Sequence, residues 1–105
     1  MNTTAKQPIW KNFLTLYGEQ NADRLTRLGI FKGETDYWIE NGLPLVGLDI
    51  DTHGESPTIE IMLENFTHTV KDARKLNLYF SLDGSEDGFD ITDAEGETTI
   101  LRFNQ

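Results

Sequence analysis

Asp83-Gly84-Ser85-Glu86-Asp87-Gly88 sets oxygen ligands at alternate positions ahead of a glycine, which is the opening half of a calcium loop. Asp83, Ser85 and Asp87 are therefore candidate metal ligands, and calcium is the candidate ion. The remainder of the pattern departs from such a loop. A bidentate Glu belongs at the twelfth position, where Ala94 stands, and Glu95 falls one residue late. The competing reading is an acidic hairpin loop held open by like charges. A second constellation is Asp49, Asp51 and His53, a carboxylate–histidine set that could serve acid–base chemistry near one turn. Acid–base work needs groups in different environments, and proximity in sequence does not supply that. His68 shares an alternating face with Phe66 and Val70, so it reads as a half-buried core residue. Lys71, Arg74 and Lys75 form a basic cluster, which reads as a solvated loop. There is no G-x-S-x-G, no phosphate-cradling glycine loop and no H-E-x-x-H.

Composition narrows the chemistry further. The 105 residues carry a net charge of −9, with nine Lys or Arg against eighteen Asp or Glu. Such a surface repels phosphate backbones, so no nucleic-acid partner is expected, nor binding to an anionic membrane. With no cysteine, disulfides, thiolate zinc sites and cysteine nucleophiles are excluded. The opening MNTTAKQ lacks an apolar signal core, so a cytoplasmic protein is expected. No cofactor is expected beyond the calcium considered above.

These residues must be positioned by a mostly β chain. Residues 1–6 read as a disordered N-terminus, and 7–105 as a single small domain. Trp10, Phe13, Leu14 and Tyr17 recur at i, i+3, i+4 and i+7, which predicts an amphipathic helix over 7–18 with Gly18 as its stop. A first strand is predicted over 24–31. Asn41-Gly42 is the pair best suited to a type I′ turn, so a hairpin is predicted there, pairing Trp38 with Leu45 and Tyr37 with Val46. In that register Tyr37, Ile39, Val46, Leu48 and Ile50 face the core. Trp38, Leu43 and Leu45 fall on the opposite face, either covered by the helix or exposed as an apolar interaction patch. Ile59, Ile61 and Leu63 alternate as a further strand, and so do Phe66, His68 and Val70. Lys71–Lys75 is predicted as a turn or a single helical turn. Leu76–Leu82, a strand from Phe89, a turn at Asp93–Gly96 and a strand over 98–103 complete the chain. The fold class is α+β, mainly β: one helix, then six or seven mostly antiparallel strands in a curled meander, barrel-like if it closes.

The spacing Trp10-x-x-Phe13, Gly42-Leu43-Pro44-Leu45-x-Gly47, Asp49-Ile50-Asp51, His68-x-Val70 and Asp93-x-x-Gly96-x-Thr98-Thr99-Ile100-x-x-Phe103 resembles a family of small, acidic, mainly bacterial proteins catalogued as a domain of unknown function. LPLVGLDID is its most specific piece. The resemblance spans Trp10 to Phe103 and implies no established activity.

Three functional readings follow. The leading one is a non-catalytic interaction module for a protein partner or for self-association, with Trp38, Leu43 and Leu45 as the candidate contact. The second is a calcium-responsive module using Asp83, Ser85 and Asp87. The third is an enzyme with a site near Asp49, Asp51 and His53.

Overall fold

A computed structural model describes residues 2–5, 10–52, 56–80 and 86–104. The elements run β1 (Asn2–Ala5), α1 (Trp10–Gln20), β2 (Leu25–Lys32), β3 (Thr35–Asp51), β4 (Thr58–Leu63), β5 (Phe66–Val70), β6 (Ala73–Phe80), β7 (Glu86–Asp93) and β8 (Thr98–Phe103). They form one antiparallel sheet in the order β1-β6-β7-β8-β2-β3-β4-β5. From β2 to β8 the chain is a meander whose last strand pairs back onto its first. The ring stays open, because β5 and β6 follow each other in the chain yet do not pair. The mainly β, curled α+β architecture is thus the expected one, short of a closed barrel. No described helix is long and apolar enough to cross a membrane.

The hairpin expected at Asn41-Gly42 does not form. β3 runs straight through both residues, and the turn lies earlier, at Gly33-Glu34, where Lys32 pairs with Thr35. Gly33 has φ 61 at the first central position, the requirement of a type II′ turn. Gly42 keeps its positive φ of 97 but spends it in a bulge. Thr26 pairs with Leu43 and Arg27 with Asn41, so Gly42 is the extra residue. A second irregularity passes over Ile39, and a third passes over Val46 between Leu45 and Gly47.

Bulges of this kind bend a strand and re-aim its side chains. The first part of β3 pairs with β2 and the part from Leu45 pairs with β4, so β3 carries the sheet round a corner. Pro44 sits at that hand-over. The predicted facing of β3 is corrected accordingly. Leu48 and Ile50 are buried as expected, but Tyr37 and Val46 are exposed, and Leu45 is wholly buried. Simple alternation works where no bulge interrupts it: Ile59, Ile61 and Leu63 of β4, and Thr99, Leu101 and Phe103 of β8, all face inward.

The helix lies across the inner side of the curl. Trp10, Leu14 and Tyr17 are buried, and Tyr17 meets Phe89 edge-on at 5.5 Å and Phe103 at 6.1 Å. Gly18 lies inside the helix and does not stop it. A Cβ there would stand 3.0 Å from the Leu48 nitrogen, so glycine permits the close seating of helix on β3. The helix ends at Gln20, where the Asn21 side-chain amide donates to the Tyr17 carbonyl at 2.9 Å and caps it. Two further boundaries differ from expectation. Asn2–Ala5 is an edge strand on β6, and β6 begins at Ala73, inside the segment expected to be a turn.

Candidate functional site

Among the described residues, those with chemical potential are not gathered into one place. Asp83, Ser85 and the loop around them lie outside the described residues, as does His53. Asp87 lies in β7, and its side chain is likewise outside the description. Asp49 and Asp51 are exposed, and Asp49 Oδ1 accepts the Ile50 N–H at 2.9 Å. The pairing runs Asp49 to Glu60 to Thr69 across three strands, while Ile61 pairs with His68. Neighbours in register share a face, so Asp49 and His68 face opposite sides of the sheet. Among the described residues no three His, Asp or Glu side chains stand together as a metal group.

Trp38, Leu43 and Leu45 are also separated. Leu45 is core, Leu43 is half-buried against the core, and Trp38 is 45% exposed on the outer face. Trp38 is paired with Gly29, whose missing Cβ would lie 2.7 Å from the ring. The ring therefore lies over the glycine, with Phe31 edge-on at 5.9 Å and the Arg27 guanidinium 4.8 Å from its centroid. Arg102, directly across from Arg27, sits 4.2 Å over Tyr79 and bonds Asp90 at 2.8 Å. The outer face thus carries an aromatic and arginine band. Phe31, Arg27, Tyr79 and Arg102 were not singled out in the sequence, because the strands that juxtapose them are far apart in the chain.

The second feature is a cleft of about 360 Å³ where the sheet fails to close. His68, Thr69 and Val70 of β5 line one side, and the turn from Asp93 to Glu97, with Thr99, lines the other. Side chains alternate across a strand. A cleft that touches three consecutive residues therefore runs along the edge of β5. Two turns close its end: Ala94 N–H donates to the Asp72 carbonyl at 3.0 Å. His68 Nε2 and Thr99 Oγ1 meet at 3.3 Å. Burial holds the His68 imidazole below its ordinary pKa of 6.5, and the Glu97 charge opposes that shift.

The carboxylates at the rim differ in occupation. Asp93 Oδ1 accepts the N–H groups of Glu95 and Glu97 at 2.9 and 3.0 Å, which shapes the turn around Gly96 at φ 85. Asp72 faces Arg74 at 3.0 Å. Among the described residues Glu95 and Glu97 have no ion-pair partner, and Lys71 is the nearby cation of the lining.

The edge itself presents backbone. Glu64-Asn65 is a two-residue loop, so Leu63 and Phe66 form a hydrogen-bonded pair, and such pairs alternate along the ladder. Phe66, His68 and Val70 consequently bond to β4. The N–H and C=O groups of Thr67 and Thr69 turn the other way, toward the side on which no described strand pairs. Compared with known proteins, the chain matches no family model, no curated protein and no solved structure.

Proposed function

We propose that the chain is a non-catalytic interaction module that engages a protein partner. The observation that carries this reading is the open seam of the sheet: β5 offers outward backbone groups beside a cleft large enough to receive side chains. An exposed strand edge templates the addition of another strand. Natural edges are often blunted by charge, proline or a bulge. Phe66–Val70 has no Asp, Glu, Lys, Arg or Pro, and its pairing with β4 is regular.

The band around Trp38 supports the same class of function from a second surface. Exposed Trp and Arg are the side chains over-represented at interface hot spots. A peptide-display selection on the immobilised protein tests the proposal. Enriched sequences should bind the wild type, and they should lose binding to Thr69→Pro or to Trp38→Ala. Selection that yields nothing, or binders indifferent to both substitutions, overturns it.

A further inference from the structure

We infer that the β5 edge and its cleft accept an extended peptide segment carrying a basic side chain, which adds as a strand and places its cation beside Glu95 and Glu97. The inference rests on the interaction reading and names the chemistry of the partner. Two independent features select this occupant. The first is backbone geometry. Thr67 and Thr69 present N–H and C=O groups at the spacing of a β ladder, and an extended main chain complements them. Their short side chains leave that approach open.

The second is charge. Of the carboxylates along the cleft, Asp93 is committed to its own turn, and Asp72 stands 3.0 Å from the Arg74 guanidinium in an ion pair without a hydrogen bond. Glu95 and Glu97 are left, with Lys71 as the opposing charge. Glu97 lines the cleft together with His68, and its charge acts on the imidazole. His68 and Thr99 provide polar atoms at the floor for a donor such as an ammonium or guanidinium. An approaching acidic segment would instead meet a chain of net charge −9.

A strand added to β5 also has room that the protein's own β1 has not taken. β1 pairs with β6 through Leu76–Tyr79, whereas the cleft lies beyond the start of β6, at the two joined turns.

The test is a titration of the full chain with defined peptides, followed by amide NMR. The probe is a blocked six-residue peptide alternating lysine and valine. Controls carry glutamine for lysine, glutamate for lysine, or N-methyl groups along one edge of the peptide backbone. The lysine peptide should shift the amides of Thr67, Thr69 and the 93–97 turn. Glu97→Gln should weaken it by up to about fivefold, as expected for one partly exposed ion pair. N-methylation on the pairing edge should abolish binding, and Thr69→Pro, which removes an outward N–H without touching the β4 ladder, should do the same. Equal binding of the glutamine and lysine peptides at β5 overturns the basic preference and leaves the interaction reading standing. Binding that survives N-methylation overturns strand addition. No binding by any peptide overturns both.

Discussion

The outer band around Trp38 and the free edge of β5 are both exposed, yet they expose different things. At Trp38 the side chain faces water while the backbone is locked into the ladder with β2. Its ring also has neighbours of its own, Gly29 beneath it and Phe31 and Arg27 beside it. At β5 the outward side chains are two small threonines, and the exposed chemistry is the main chain. Large apolar residues announce themselves in a sequence. An unpaired edge does not, because which strand ends the sheet depends on every other pairing. The two surfaces therefore have different sensitivities: substitutions at the band change packing, and substitutions at the edge change outward backbone groups.

Stability measurements sharpen that contrast. The largest effect is expected at Leu45, which shares β3 with Trp38 but is wholly buried. Leu45→Ala should cost about 3 kcal/mol in urea unfolding, the usual loss for a core leucine. A cost below about 1 kcal/mol would return Leu45 to the surface and undo the bulge at Val46. Trp38→Ala should cost less, about 1–2 kcal/mol, from lost ring contacts and the uncovered glycine. A neutral result there would free Trp38 of its packing role and make the band purely a contact surface.

The cleft should show itself in a pH series. His68 is held below its ordinary pKa in the folded state, so the unfolded chain binds the proton first. Stability contributed by neutral His68 is then complete above pH 6.5 and declines as pH falls through 6.5 toward the folded value. His68→Gln should flatten this part of the curve between pH 7.5 and 5.5, and an unchanged slope would mean that His68 is not buried at the cleft floor. The smallest effect is expected for Thr69→Pro, under about 1 kcal/mol, because proline is tolerated on an edge when its missing N–H faces outward. A large loss would show that Thr69 bonds within the fold and that the edge is not open.

Much of the candidate site was legible residue by residue. His68 reads as half-buried from its place between Phe66 and Val70, and Asp93–Gly96 reads as a turn from its Asp and Gly. Their meeting was not legible, since His68 and Thr99 are joined only when the sheet curls and brings β5 over β8. The interaction patch fared differently. Trp38, Leu43 and Leu45 share a face only if a two-residue turn at Asn41-Gly42 folds Trp38 onto Leu45, and β3 instead runs through both residues as one bulged strand.

From local rules alone the chain determines an amphipathic helix with Trp10, Leu14 and Tyr17 on one face, strands at β4 and β8, and a mainly antiparallel α+β class. Each depends on periodicity or on one turn, which neighbouring residues decide between themselves. Tertiary structure decided the role of Asn41-Gly42. The positive φ that Gly42 supplies suits a turn and a bulge equally well. The choice between them falls to pairing with β2 on one side and β4 on the other, because a 17-residue strand that serves both buries Leu45, Leu48 and Ile50 in one core.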